Sequence, residues 1–246
     1  MNDARQGRAL LVSVAAVWLT TGLLVLHPHF RLVGAAYLTL LGLPSWLMIA
    51  ACAAELVLGL RVALGPPDRW LAILQTAAVA GFTAILAGLE PMLLVSPVGV
   101  LTKNIPLLTA LWAATLLARE GWTPRVLWLL RGGIAAIWLT EGLLPKILFQ
   151  QEWELALSAR LLPVDPSVLV GALGVAQAAS GVAVLLLAWR PLRWVLWAQA
   201  AALVALPLMV SLHEPLLWAH PFGPLTKNLP IFVGTLILAR RCSTRS

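Results

Sequence analysis

Three groups of polar residues lie in segments that are otherwise apolar. Glu141, Pro145 and Lys146 fall together near the end of the run 125–148. Pro145 stands four residues after Glu141, so it cannot donate to the Glu141 carbonyl and its ring crowds that turn. The helix should kink there and leave a carboxylate, a freed carbonyl and a lysine in one place. That set could bind a ligand or carry a proton; it also reads as a structural Glu141–Lys146 pair capping a bent helix. Glu55 sits mid-run in 45–64, with Cys52 and Gly59 on its helical face. Gln177 has Gly174 and Gly181 at the same offsets. Small residues at those spacings mark a closely packed helix face, so both polar groups should point into a bundle. Each could be a ligand or proton site, or an interhelical hydrogen bond. The third group is Lys103-Asn104 and its counterpart Thr226-Lys227-Asn228, each just after a Gly- and Pro-containing turn. A lysine at a helix N-terminus opposes the helix dipole. An anionic partner resolves the conflict: a lipid phosphate, a substrate, or a buried carboxylate such as Glu141. Snorkelling to headgroups is the plain alternative.

The elements that position these residues follow from composition. The 246 residues are 61% hydrophobic and 11% charged. A soluble domain cannot hide that much apolar surface, so lipid is the expected solvent. The net charge of +7 does not argue for nucleic acid, because the basic residues are scattered between apolar runs. Cys52 and Cys242 stand alone, with no metal-type or redox spacing. His27, His29, His213 and His220 read as interfacial residues, so no metal or fixed cofactor is expected. The first apolar run resembles a leader but has no small-residue cleavage pattern, and it is read as a retained span.

Apolar segments of helical length occur near 9–26, 45–64, 70–88, 104–118, 125–148, 167–188, 192–211 and 228–239. With eight spans, Arg5, Arg8, Arg61, Arg69, Arg119, Arg125, Arg131, Arg190, Arg193, Arg240, Arg241 and Arg245 share one side. Arg31, Lys103, Lys146, Arg160 and Lys227 take the other. The positive-inside rule then makes both termini cytoplasmic. Tryptophans such as Trp46, Trp70, Trp122 and Trp194 fall near span ends, as an interfacial belt does.

The chain repeats itself. Ala15-Ala16-Val17-Trp18-Leu19-Thr20-Thr21-Gly22-Leu23-Leu24 matches Ala135 to Leu144, and Glu90-Pro91 through Pro106 matches Glu214-Pro215 through Pro230. Between them Gln75 aligns with Gln199, which suggests simple interhelical bonding for both. Thr21, Val25 and Leu26 stand where the second copy has Glu141, Pro145 and Lys146, so the charged site is single. Each copy holds an even number of spans, so the copies share one orientation, related by a twofold along the membrane normal. The expected fold is all-α, a polytopic membrane protein of eight transmembrane helices in two parallel four-helix repeats, 1–122 and 123–246.

The segments Trp138 to Lys146 and Pro221 to Pro230 resemble the DoxX-like family of small four-span bacterial membrane proteins. The second half looks like a full-length member and the first like a diverged one. The resemblance implies the bacterial inner membrane and an association with membrane redox work, including quinone-linked oxidation. The function expected first is an accessory or ligand-binding role. A pocket formed by Glu141, Lys146, Lys227 and Asn228 would take a small anionic or quinone-like ligand, or a membrane or periplasmic redox partner. Proton-coupled transport through Glu55 and Glu141 is the second reading, and a quinone-linked redox subunit the third.

Overall fold

The computed structural model describes residues 3–96, 100–161 and 163–244, and only the backbone of Val100, Leu101, Lys103 and Thr244. Pro97, Val98 and Gly99 of the first turn motif, the Lys103 side chain and Arg245 therefore lie outside the described residues. The described residues form ten α-helices and no strand. These are α1 (Asp3–Leu23), α2 (Pro28–Leu40), α3 (Trp46–Leu64), α4 (Arg69–Leu89), α5 (Val100–Glu120), α6 (Pro124–Leu143), α7 (Glu152–Leu161), α8 (Pro166–Leu186), α9 (Trp189–His213) and α10 (Asn228–Thr244). Side-chain oxygens cap three of them: Asp68 accepts from Trp70 N–H, Thr123 from Val126 N–H and Asp165 from Ser167 N–H.

Six helices are long and apolar enough to cross a membrane: α1, α3, α4, α6, α8 and α9. The chain is a multi-pass membrane protein. Helices α5 and α10 are not among the six, yet they supply much of the core. Leu107, Ala110, Leu111, Ala113 and Ala114 of α5 and Ile237, Leu238 and Ala239 of α10 are buried. A helix packed against protein on most sides needs less hydropathy than one facing acyl chains. The converse holds for α3, α4, α8 and α9, which leave Ile49, Val57, Phe82, Val175, Val204 and Leu208 exposed.

Helix pairing repeats along the chain. Helices α1 and α3 pack as α6 and α8 do, α1 and α5 as α6 and α10, and α4 and α5 as α9 and α10. Between the halves α1 meets α10, α5 meets α6, and α5 meets α10. Exchanging the two halves leaves this list unchanged. Glycines set the closest approaches. A Cβ on Gly142 would fall 2.5 Å from Gly174 O, and one on Gly22 would fall 2.8 Å from Cys52 O. The small-residue faces read from the sequence are therefore the α3–α1 and α8–α6 interfaces.

Two arginines close the C-terminal ends of α3 and α8. Arg8 donates to the carbonyls of Ala63 and Gly65. Arg131 donates to those of Val184, Leu185 and Leu187. A cation there satisfies orphan carbonyls and complements the helix dipole.

Two short helices escape a span-length criterion. Helix α2 follows α1, and helix α7 follows α6. Phe30 of α2 is buried, and Tyr37 donates to Glu90 Oε2 at 2.8 Å. Burial first, and then Glu90, push the Tyr37 phenol up to about 12, so it stays a donor.

Candidate functional site

At Pro145, where the sequence leads one to expect a bend, α6 passes into a π-turn, Leu144–Leu148. Phe149 N–H donates to Leu144 O at 2.8 Å across it. Such turns arise where the regular helical ladder is interrupted. The turn carries Lys146 back over the last turn of α6. Its Nζ donates to the Glu141 carbonyl at 3.4 Å, the group that Pro145 cannot reach. The Glu141 carboxylate lies 4.0 Å from the same ammonium.

The nearer anion is one that the sequence reading passed over. Glu154 Oε1, in the first turn of α7, stands 3.0 Å from Lys146 Nζ. The Lys146 side chain is 6% exposed and the Glu154 side chain 13%. The ammonium is thus held between carboxylates from two helices. The signal for Glu154 was present in the pattern Glu152-Trp153-Glu154 with Leu157, Ser158 and Leu161. These residues form an amphipathic helix too short to span.

These groups stand at one end of a cavity of about 540 Å³. Its walls come from the last turns of α6, one face of α7, the first half of α8 and the second half of α9. Leu169, Leu173, Leu203, Leu206 and Val210 make most of the lining apolar. Its polar lining is Trp138, Glu141, Lys146, Trp153, Glu154, Ser158, Gln177 and Asn228. Of the residues named from sequence, the structure thus brings Glu141, Lys146, Gln177 and Asn228 together. The volume lies in the range of small-molecule sites, as does a mostly apolar wall with a few polar groups.

Lys227, Asn104 and Glu55 form a separate cluster that does not line this cavity. Lys227 Nζ donates to Asn104 Oδ1 at 3.0 Å, and Asn104 Nδ2 donates to Thr83 Oγ1 at 2.8 Å. Glu55 lies within electrostatic range of Lys227. Lys227 is 9% exposed, which departs from snorkelling and from a solvated headgroup site. Thr226 belongs to the turn that delivers it: its Oγ1 donates to Gly223 O at 3.4 Å. Gly223 has φ +58°, a conformation that a Cβ would strain.

The two glutamines behave differently. Gln75 Oε1 accepts from Trp18 Nε1 at 2.8 Å, tying α4 to α1. Gln199 Nε2 donates to Ser180 Oγ at 3.1 Å, tying α9 to α8. Both are interhelical bonds. Among the described residues no group of three His, Cys, Asp or Glu side chains could hold a metal ion.

The model of the DoxX-like family matches this chain twice, over residues 15–112 and 135–236. No curated protein and no solved structure matches it significantly. The two matches follow the two halves whose helices pair alike, and together they cover most of the sequence. The chain belongs to the DoxX-like family, as a tandem duplication of its unit.

Proposed function

We propose that this protein is a non-catalytic, ligand-binding member of its family in the bacterial inner membrane. It has eight spans in two like-oriented repeats, 1–122 and 123–246, and cytoplasmic termini. The observation that carries the binding role is the 540 Å³ cavity with the Glu141–Lys146–Glu154 cluster at one end. The cavity is half-open and mostly apolar, so an amphiphile can enter it and pack along its wall. Its place among α6, α8 and α9 suits a molecule that partitions into the bilayer, and a quinone is one admissible occupant. A membrane or periplasmic redox partner would meet the end where α2 and α7 lie.

Eight spans are supported by the exchange symmetry of the pairings. It gives α5 and α10 equivalent central positions, and their burial accounts for their lower hydropathy. The arginine distribution supports the orientation. Labelling of single cysteines tests both. Arg125→Cys should react only with reagent on the cytoplasmic side, and Arg160→Cys only from outside. Reaction of both from one side ends the eight-span arrangement.

The binding role is tested in lipid nanodiscs. Membrane-soluble ligands should raise the unfolding temperature, and Leu173→Trp, which fills the cavity, should abolish the rise. Proteoliposomes with a pH gradient should show no flux of such ligands. Flux that disappears in Glu55→Gln would instead establish the transport reading.

A further inference from the structure

The two repeats share a tryptophan–glutamine pair, and only one copy closes it. In the first, Trp18 Nε1–H donates to Gln75 Oε1 at 2.8 Å. In the second, Trp138 and Gln199 hold the corresponding sequence positions. Gln199 turns its amide to Ser180 instead, with bonds of 3.1 Å to the hydroxyl and 3.3 Å to the carbonyl. Trp138 Nε1 is buried there without an acceptor, and Gln199 Oε1 is buried without a donor. Trp138 is 7% exposed and lines the large cavity.

A second unfilled group lines the same cavity. Gln177 Oε1 is buried with no donor, on a residue 8% exposed. Gln177 packs beside Gly142, where an added Cβ would lie 3.1 Å from the Gln177 Cβ. Trp138 is one turn before Gly142 on the same helix. The indole donor and the amide acceptor therefore stand about one turn apart along the same cavity wall. A buried donor or acceptor left unmade costs about 1–3 kcal/mol, so two at one cavity wall call for a partner.

The ammonium at the cavity already has its anions. Lys146 spends its ammonium on Glu154 Oε1, the Glu141 carbonyl and the Glu141 carboxylate. A ligand carrying its own charge would compete with that cluster in a low-dielectric setting. We infer that the cavity takes an uncharged amphiphile whose hydroxyl head accepts from Trp138 Nε1–H and donates to Gln177 Oε1, with its hydrocarbon along Leu169, Leu173 and Leu206. This rests on the reading of the cavity as a ligand site. It narrows that reading away from anions and toward alcohol- or phenol-headed lipids.

Four probes of equal chain length decide it: dodecanol, dodecane, dodecanoate and dodecylamine, each added to the full-length protein in nanodiscs at matched mole fraction in lipid. Apparent affinity is read from the shift in unfolding temperature. Dodecanol should bind about tenfold more tightly than dodecane, as two modest hydrogen bonds require. It should also exceed both charged probes. Trp138→Phe and Gln177→Met should each bring dodecanol toward dodecane. Trp18→Phe should leave the preference unchanged, because that indole already has its acceptor. Stabilisation by dodecanoate or dodecylamine above dodecanol overturns the inference, as does an undiminished dodecanol preference in both cavity variants. If no probe stabilises the protein, the ligand-site reading itself fails.

Discussion

Lys227 Nζ donates to Asn104 Oδ1 across 3.0 Å, joining the turn before α10 to the first turns of α5 in the other half of the chain. Each residue belongs to the same sequence motif in its own copy. The duplicated motif therefore builds a contact between copies. Thr83 holds the Asn104 amide from behind at 2.8 Å. Replacing Asn104 by alanine leaves a buried ammonium short of an acceptor and should cost about 2 kcal/mol. Lys227→Met in the same background should add little, because the ammonium that lost its Asn104 acceptor is gone. Unfolding free energies of the four proteins in a double-mutant cycle measure this, and additive losses would dissolve the link.

Much of this architecture is legible from residue types. Apolar run lengths give the six long helices, and Gly174 and Gly181 mark a packed face of α8, which the structure sets against α6. Pro145 and Lys146 are legible as a kink with a lysine, since the missing N–H at Pro145 is a local fact. What escaped is everything that depends on how helices meet. Glu154 is eight positions from Lys146 on another helix, and no spacing rule predicts that they touch. Lys227 reads from the sequence as the partner of an anion, with a lipid phosphate, a substrate or Glu141 as candidates, whereas the bundle sets it on Asn104 and in range of Glu55. Arg8 and Arg131 close equivalent helix ends from positions that the repeat alignment does not equate. That equivalence is visible only in the carbonyls they reach.

The Lys146–Glu154 pair holds α7 over the cavity. Both side chains are largely buried, so removing the Glu154 charge takes the nearest anion from Lys146 and leaves it the Glu141 carboxylate at 4.0 Å. Glu154→Gln should destabilise the protein by about 3 kcal/mol, more than an exposed pair would. The double variant Lys146→Met with Glu154→Gln should recover part of that loss. Proteolysis between α6 and α8 should accelerate in the single variant, because α7 has lost its ionic tie. An α7 that is cleaved no faster would show that its leucines alone retain it.

Gly174 lies between the α6 backbone and the site. A Cβ there would meet Gly142 O at 2.7 Å and Lys146 Cβ at 2.8 Å. The carbonyl belongs to a packed helix and cannot yield cheaply. Gly174→Ala should therefore push α8 from α6, costing about 1–3 kcal/mol, and displace Lys146 from Glu154. Gly171→Ala, three residues earlier, is the control: its Cβ would meet only Gln150 Nε2, at an ordinary 3.6 Å. Equal losses in the two variants would remove the close approach as their cause.

Acid should loosen the end of the bundle that carries α2. His220 packs edge-on to Phe222 at 5.1 Å and lies 6.3 Å from His29. Burial, and then the neighbouring His29, lower its pKa to about 4. The unfolded value is near 6.5. Above about pH 6.5 His220 is neutral in both states and contributes no pH dependence. As the pH falls toward 4 the unfolded chain takes up the proton first, so stability drops through that window. Below about 4 both states are protonated and the loss is complete. Partial solvent access reduces the effect to about 2 kcal/mol. Other titrating groups act alike in the parent and in His220→Gln, so the difference between their stability curves isolates His220. That difference should rise between pH 4 and 6.5 and level off on either side. A flat difference would mean that His220 titrates in the folded protein as it does in the unfolded chain.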